Sequence, residues 1–382
     1  MTRIASLDTV RGLAAWSVAV PHFFIYHHYY ARQSEPIAIL AVEIFFVLSG
    51  YVLAPQILLC LSAPRRNYFL VFWTRRWMRT IPPYFVALVV ATILFHQAWS
   101  ADFLRYATYT QNLFGQHNSD DYYQVAWSLS VEEWFYLSFP ISLFFSLILL
   151  ARVSPARSWV SKERAIVLCA ISYIVAVTCI RSAFGDSADW GPAVRRVVAF
   201  RVDAIAYGFL LYLYVAGPGA DMLKRCRPAV LALAVAMSAF AAFSLLGQIA
   251  NQADWAKIAY PFVAAAFSCS CLLFAIRVNS AIAGSRALRA VSVIGGRISY
   301  SVYLFHIIFL TVIGSYFSGY TLLAQFCLYI GATGVFTLVF FRLFEKPILL
   351  ARPRFDAKEQ PPGQLPVRGS LDASAAEPVM TI

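Results

Sequence analysis

The sequence predicts an all-α, polytopic membrane helix bundle of about ten transmembrane helices, with both termini on the cytoplasmic side. Of its 382 residues 60% are hydrophobic and only 13% are charged, whereas about 25% of the residues in a soluble domain are charged. The mean hydropathy is +0.66, and long apolar runs recur along the whole chain. Lys and Arg cluster between alternate runs. Together these observations exclude a soluble globular fold.

Each apolar run is long enough to span a membrane, which takes about 20 residues. The ten predicted spans cover residues 10–29, 37–59, 80–97, 128–150, 165–184, 197–216, 228–248, 257–277, 298–317 and 321–344. The first run carries Arg11 and His22, so we expect a retained helix and not a cleaved signal peptide. Residues 1–350 are assigned to one membrane domain. Residues 351–382 are rich in Pro, Gly, Ser and Ala, which predicts a disordered cytoplasmic tail.

Basic residues orient the bundle, because the cytoplasmic loops of membrane proteins hold an excess of Lys and Arg. With the N-terminus inside, all but seven of the 31 Lys and Arg residues fall on the cytoplasmic side. The exceptions are Arg32, Arg105, Arg181, Arg195, Arg196, Arg201 and Lys257. The formal net charge of +12 therefore indicates contact with anionic membrane lipids and not nucleic acid binding.

The seven cysteines lie mostly inside apolar runs, without the Cys and His spacing of a zinc site. Such thiols usually act as small buried hydrophobic side chains. We expect no disulfide framework and no bound metal.

Ionisable side chains on several predicted helices fall at a similar depth, in the outer half of the membrane. His22 lies about 16 Å above Arg11, since a helix rises 1.5 Å per residue. The others at this level are Glu43, Glu132, Glu133, Arg201 and Asp203. A charge inside a bilayer costs a few kcal/mol and often marks a functional site. We expect a shared polar cavity; the alternative is that Glu and Arg pair only to lock helices together.

His22 and Glu132 have the chemistry of a general base and the carboxylate that orients it. An unperturbed imidazole titrates near neutral pH, and a carboxylate can fix its tautomer and stabilise the imidazolium. The sequence does not show whether the two side chains touch. Packing remains the alternative role for His22.

Two further clusters attract attention. Arg75, Arg76 and Arg79 precede "IPPY", and arginines grouped on one helical face at a membrane surface can bind phosphate. An ordinary role in topology and headgroup contact is equally open.

In "GRISYSVYLFH", Ser299, Tyr303 and His306 share one helical stripe. Here His306 is interpreted either as part of a substrate pathway or as a packing residue.

Taken together, these segments resemble the integral membrane acyltransferase-3 family. The resemblance rests on the ordered set "LDTVRGLAAWSVAVPHF", "VEIFFVLSGYVL", "RRWMRTIPPY", "WSLSVEEWFYLSFP", "RVDAIAYGFLL", "GRISYSVYLFH" and "FEKP". It extends from about residue 5 to residue 347. By resemblance, His22 corresponds to the essential histidine of the first helix and Glu132 to the Glu of a W-S-L-x-x-E motif. Arg76 and Arg79 correspond to an Arg-x-x-Arg pair.

The resemblance implies transfer of an acyl group, commonly acetyl from acetyl-coenzyme A, to a hydroxyl group. The implied acceptors are a glycan, a lipid-linked sugar of the cell envelope or a small hydroxylated compound. The implied location is the bacterial inner (cytoplasmic) membrane. Some members of the family carry an extracytoplasmic hydrolase-like domain, so we expect any second transfer step here to be absent or supplied by another protein.

One hypothesis joins the residues to the resemblance. Acyl-coenzyme A binds from the cytoplasm with its phosphates on Arg75, Arg76 and Arg79, and Arg11 lies along its route. His22, oriented by Glu132, then deprotonates the acceptor hydroxyl as it attacks the thioester. The candidates for binding the acceptor or the oxyanion are Arg201, Glu43, Tyr303 and His306.

Several alternatives remain open at this stage. A transporter of a polar or acylated metabolite would also place charges at the middle of a helix bundle, and an inactive, partner-binding relative is a third reading. Direct transfer is preferred to an acyl-enzyme, because no nucleophile stands out. Sequence does not identify the acceptor or the side from which it enters, and a homo-oligomer is neither predicted nor excluded.

Overall fold

The structure, a computed structural model, describes residues 4–62, 66–95, 101–115, 123–153, 162–184, 190–250, 253–353 and 355. These residues are largely helical and contain no strand. Their α-helices are α1 (Ala5–Tyr26), α2 (Ala31–Ser62), α3 (Arg66–Leu94), α4 (Ala101–Ala107), α5 (Ala126–Val153), α6 (Lys162–Phe184), α7 (Asp203–Ala216), α8 (Ala220–Arg225), α9 (Pro228–Ala250), α10 (Asp254–Arg277), α11 (Asn279–Gly284), α12 (Arg286–Tyr316), α13 (Leu322–Phe340) and α14 (Lys346–Leu350). Short π-helical segments cover Gly191–Arg195 and Phe341–Glu345, and a 3₁₀ turn covers Val198–Phe200.

Nine helical segments in the described part of the chain are long and apolar enough to cross a membrane. They correspond to the second through tenth predicted spans. The remaining predicted span is α1, a helix of 22 residues and therefore about 33 Å long, which carries Asp8 and Arg11 near its start. The prediction of an all-α polytopic membrane bundle is confirmed. Most of the predicted tail lies outside the described residues.

The arginine cluster and the third predicted span form one continuous helix, α3. The predicted span begins at residue 80, but α3 begins at Arg66 and runs through Pro82 and Pro83. Pro82 and Pro83 lack the N–H groups that would bond to the carbonyls of Met78 and Arg79. Two neighbouring carbonyls accept bonds from side chains: Thr80 Oγ1 donates to the Arg76 carbonyl at 3.1 Å, and the Tyr300 hydroxyl donates to the Thr80 carbonyl at 2.8 Å. Proline is tolerated in a membrane helix where neighbouring groups can satisfy the backbone.

Helices α1, α2 and α12 form the centre of the bundle, because α1 packs along both of the others. On its other side α2 packs against α7, where two glycines bring the backbones together. A Cβ on Gly208 would lie 1.8 Å from the Val47 carbonyl oxygen, and a Cβ on Gly50 would lie 1.9 Å from the Ile205 carbonyl oxygen. Small residues at such crossings are a common device of membrane proteins.

Candidate active site

A cavity opens between α1, α2, α3, α5 and α12. Polar side chains on its wall form a stripe along α5, since Ser128, Glu132 and Tyr136 follow one another at intervals of four residues. This stripe spans about 12 Å of helix. Arg76 and Tyr136 mark one end of the cavity, and Ser128 with Tyr303 marks the other.

Three arginines line the first end, which we call the arginine mouth: Arg11 from α1, and Arg76 and Arg79 from α3. The guanidinium of Arg76 lies 6.0 Å from the centre of the Tyr136 ring. The nearest carboxylate contact of Arg11 is a long one, 4.0 Å to Asp8. Within the described residues, no ion pair or hydrogen bond joins Arg76 or Arg79 to a carboxylate. The mouth is therefore cationic and suited to an anionic ligand.

Arg75 has a different environment from its neighbours. Its Nη1 donates to the Pro353 carbonyl at 2.5 Å, and its guanidinium lies 5.6 Å from the centre of the Phe355 ring. The side chain thus anchors the segment after α14 to α3, and it does not line the cavity. Donor binding by Arg75 is therefore not supported by its contacts, although Arg75 lies four residues before Arg79 and residues at that spacing usually share a helix face.

Glu132 lies in the middle of the α5 stripe, and both of its carboxylate oxygens accept a hydrogen bond. The Ser49 hydroxyl donates to Oε1 at 2.7 Å, and the Tyr136 hydroxyl donates to Oε2 at 2.8 Å. The charges of Arg76 and Arg11 also act on this carboxylate. Glu132 therefore belongs electrostatically to the arginine mouth.

His22 is paired with His306, and the pair has a defined tautomer. His22 Nδ1 lies 2.9 Å from His306 Nε2, and His306 Nδ1 lies 3.0 Å from the Val302 carbonyl oxygen. A carbonyl only accepts, so Nδ1 of His306 carries a proton; in neutral His306, Nε2 is then the acceptor for the proton on His22 Nδ1. This leaves Nε2 of neutral His22 unprotonated, as a general base requires. His306 is fully buried, whereas His22 is partly exposed.

The expected contact between His22 and Glu132 is not formed, because each side chain is bonded to other partners. The position of Tyr303 shows why the side chains of His22 and Glu132 are apart. Its hydroxyl lies 2.5 Å from Ser128 Oγ, one turn of α5 away from Glu132. His306 lies one turn of α12 beyond Tyr303, and the two rings are 6.0 Å apart. Because α5 and α12 run antiparallel, Glu132 lies on one side of Tyr303 and His306 lies on the other. The depth assigned to Glu132 from its sequence position was therefore too close to the depth of His22.

Tyr303 lies between the cavity and His306, and Phe45 packs against Tyr303. Both rings line the cavity, and their centres are 5.7 Å apart. His22 and His306 themselves are not part of the cavity wall. The structure therefore places Tyr303 next to both the cavity and His306, in keeping with its selection as a candidate.

Glu43 and Arg201 form a buried ion pair and do not line the cavity. One Arg201 nitrogen, Nη2, lies 2.5 and 2.6 Å from the two Glu43 oxygens, and both residues are almost fully buried. Nearby, Arg181 Nη1 pairs with Asp203 at 3.0 Å. For Glu43 and Arg201, the locking role weighed against function therefore fits the structure. Neither is placed to stabilise an oxyanion in the cavity.

No group of three or more His, Cys, Asp or Glu side chains that could hold a metal occurs among the residues that the structure describes. The seven cysteines are free thiols.

Sequence reasoning missed several polar residues of the cavity. Tyr136 follows Glu132 by four residues, and this spacing alone could have suggested their hydrogen bond. Ser49 lies on another helix, and nothing in the sequence connects it to Glu132. His22 and His306 were both singled out, yet their pairing depends on the packing of α1 against α12. Glu133 is buried, and its Oε2 has no hydrogen-bond partner within the described residues.

Comparison with known proteins places this architecture in a family. Residues 4–342 match the acyltransferase-3 family, described as an acyltransferase domain. The O-acetyltransferase OatA of Staphylococcus aureus is 25% identical over 363 residues, which cover 90% of this chain and 57% of the relative. The peptidoglycan O-acetyltransferase OatA of Listeria monocytogenes is 29% identical over 156 residues, 37% of this chain and 24% of the relative. The acyltransferase MdmB of Streptomyces mycarofaciens is 28% identical over 220 residues, 51% of each chain.

The chain spans about half the length of these relatives. No solved structure matches it. The family match covers nearly the whole membrane domain, including both cavity-lining arginines of α3 and the histidine pair. We conclude that the chain belongs to the acyltransferase-3 family of integral membrane proteins.

Proposed function

We propose that the protein is a membrane O-acyltransferase that moves an acyl group, expected to be acetyl, from cytoplasmic acyl-coenzyme A to a hydroxyl of a glycan-type acceptor. The supporting observation is one cavity that begins at three cavity-lining arginines and ends at Tyr303, beside a tautomer-fixed histidine pair. The family supports acyl transfer, and the names of the OatA relatives support O-acetylation and a cell-envelope acceptor. We place the protein in the bacterial inner membrane.

The arginine mouth supplies the donor site. Coenzyme A is made in the cytoplasm and carries several phosphate charges, which Arg76 and Arg79 would bind through their guanidinium groups. The excess of Lys and Arg at this end of the bundle favours a cytoplasmic location for the mouth. The pantetheine arm then follows the stripe of α5 past Glu132 toward Ser128 and Tyr303.

His22 serves as the general base of the transfer. Its Nε2 takes the acceptor hydroxyl proton as that oxygen attacks the thioester carbonyl, and a tetrahedral oxyanion forms. The carbon–sulfur bond then breaks, and the imidazolium returns the proton to the departing coenzyme A thiolate. His306 holds the Nδ1 proton of His22 throughout, which is the orienting role that the sequence suggested for Glu132. The Tyr303 hydroxyl is the nearest candidate donor to the oxyanion.

Glu132 takes a different role in this scheme. Two hydroxyl donors and two nearby arginines stabilise its negative charge. The carboxylate in turn holds Tyr136 and limits the positive charge of the mouth. Glu132 is thus a positioning residue of the donor path. Glu132 and Glu133 are adjacent in "WSLSVEEWFYL", but their side chains lie in different surroundings.

The experiment measures release of free coenzyme A thiol by purified protein in lipid nanodiscs, with acetyl-coenzyme A as donor and isolated cell-envelope glycan as acceptor. We expect His22→Ala to lower the rate by about 10² to 10⁴, the usual contribution of a general base. His28→Asn is the matched control. His28 is an exposed histidine beyond the end of α1 with φ 57°, a backbone conformation that Asn accepts.

A wild-type rate of thiol release in His22→Ala would contradict the assignment of His22 as the general base. Acceptor-dependent movement of a substrate across the membrane without thiol release would contradict the enzyme and support a transporter.

A further inference from the structure

A second cationic group lies beyond Tyr303, at the end of the cavity opposite the arginine mouth. Arg195 closes the π-helical segment Gly191–Arg195 and is 6% exposed. Its guanidinium carbon lies 5.1 Å from the centre of the Trp127 ring and 5.6 Å from that of Trp190. These indole rings are its only close partners among the described residues, because no ion pair or hydrogen bond to this guanidinium is formed there and Nε is buried without an acceptor.

An unpaired buried guanidinium is costly. Removing a charge from water costs several kcal/mol unless a counter-charge or acceptors replace the water, and a guanidinium has five N–H donors to satisfy. Cation–π contacts with the two indole rings offset only part of this cost. The nearby buried carboxylates already pair with other arginines, since Arg201 pairs with Glu43 and Arg181 pairs with Asp203. Glu43 and Glu35 act on Arg195 electrostatically without a direct ion pair, and the adjacent Arg196 adds a like charge. Arg195 therefore has no direct counter-ion among the described residues.

A second unsatisfied group lies on another element. The Tyr260 hydroxyl of α10 is fully buried and has no hydrogen-bond partner in the described structure. Its ring packs edge-on against Trp190 with centres 5.1 Å apart, and its electrostatic neighbours include Arg195. Buried polar groups are normally paired, so two orphans beside the same indole indicate a binding site for a polar ligand.

Backbone contacts hold this arrangement in place beside the cavity. Asn112 Nδ2 donates to the Trp127 carbonyl at 3.0 Å and to the Arg196 carbonyl at 2.5 Å. Trp127 also packs against Phe46, a cavity-lining residue, with ring centres 5.9 Å apart. Arg195 is close enough to His22 for its charge to act on the imidazole.

We propose that Arg195, Tyr260, Trp127 and Trp190 form the binding site of the acceptor, and that this acceptor carries an oxyanion, a carboxylate or a phosphate. The inference rests on the proposed function, since it names the chemical class of the acceptor. The oxyanion bonds to the N–H edge of Arg195. The Tyr260 hydroxyl donates to the same group, and an indole face packs against the sugar ring. The acceptor hydroxyl then reaches the cavity from the end opposite the donor.

The test measures binding without any donor, so that its outcome is independent of catalysis. The protein in nanodiscs is titrated with methyl β-D-glucuronide, glucose 6-phosphate and methyl β-D-glucoside, and tryptophan emission reports binding. We expect the wild type to bind a charged probe about tenfold more tightly than the neutral glucoside, as expected for one charge-assisted hydrogen bond. The two charged probes distinguish a carboxylate from a phosphate.

Arg195→Gln should remove this preference, and Arg195→Lys, which keeps the charge in a folded site, should retain part of it. Arg105→Gln is the control, because Arg105 is an exposed arginine paired with Asp102. Equal binding of charged and neutral probes by the wild type, or an unchanged preference in Arg195→Gln, overturns the proposal. A charge preference that depends on Arg195, in a protein that releases no thiol with any acceptor, supports the site while the proposed function fails.

Discussion

At the scale of single residues, three arginines within one turn and a half of α3 have different roles, namely Arg75, Arg76 and Arg79. Arg76 and Arg79 line the cavity, whereas Arg75 donates to the Pro353 carbonyl and packs on Phe355. Their chemistry is identical, so the direction in which each leaves the helix decides its role. The difference gives a matched experiment inside one short segment.

Arg76→Gln and Arg79→Gln should each weaken coenzyme A binding by about tenfold or more, because each removes a charged donor to phosphate. Arg75→Gln, the internal control, should leave the affinity within about twofold. Isothermal titration of the nanodisc protein with coenzyme A measures all three. An equal loss in Arg75→Gln would show that the phosphates lie outside the cavity mouth.

It was therefore easier to predict which residues belong to the site than to predict which of them contact each other. Composition and spacing selected His22, His306, Tyr303, Arg76 and Arg79, all of which lie in or next to the cavity. The predicted contact between His22 and Glu132 was wrong. An error of one helical turn in the depth of a residue, made in each of two helices, places the two side chains about 10 Å apart. Hydrogen bonds act over about 3 Å, so depth inferred from sequence is too coarse to assign them.

At the scale of the elements, the contact between α2 and α7 depends on the absence of two side chains. Gly50 and Gly208 each face a backbone carbonyl of the opposite helix at a distance that a Cβ cannot occupy. Glu43 lies seven residues before Gly50 on α2, and Arg201 lies two residues before the start of α7. Close backbone approach and a buried ion pair therefore define one interface together.

Gly208→Ala should destabilise the protein by about 1–3 kcal/mol or more, since the new methyl group forces the helices apart. Gly247→Ala in α9 is the control. No atom lies within 4 Å of the methyl group that it adds, so the substitution should stabilise by about 0.5–1 kcal/mol. Thermal unfolding in detergent, followed by circular dichroism, measures both. Equal effects of the two substitutions would contradict the packing argument.

The ion pair gives a second test of this interface. Glu43→Gln leaves the guanidinium of Arg201 buried without a counter-charge and should cost about 3–5 kcal/mol. The double variant Glu43→Leu with Arg201→Met should recover most of that loss. A double-mutant cycle on unfolding midpoints supplies the coupling energy. Full activity per folded molecule in the double variant would agree with a structural role, and a coupling energy near zero would argue against the pair.

At the scale of the whole molecule, hydropathy was sufficient to predict an all-α polytopic bundle. Each span of about 20 apolar residues must form a helix, because lipid offers no partner for backbone N–H and C=O groups. The ends of helices were less predictable. The second and third helices each begin before the predicted spans, because polar turns extend a helix beyond the apolar run that defines it.

Orientation can be tested by labelling two exposed positions. In a cysteine-free background, Arg105→Cys on α4 and Lys224→Cys on α8 are each treated with a membrane-impermeant maleimide in intact spheroplasts. The positive-inside rule predicts labelling at position 105 and none at position 224 until the membrane is permeabilised. The reverse pattern would place the arginine mouth outside, where no cytoplasmic coenzyme A could reach it.

The aromatic rings of Phe45 and Tyr303 have one more consequence. A protein that accepts a charged nucleotide donor from one compartment and modifies a compound held toward the other must avoid becoming a conduit for protons. Both rings line the cavity that we propose for the donor, and Tyr303 lies next to His306. In that proposal the thioester arm passes an aromatic ring and not an open, water-filled path to the imidazoles, which would limit proton leakage along the transfer route.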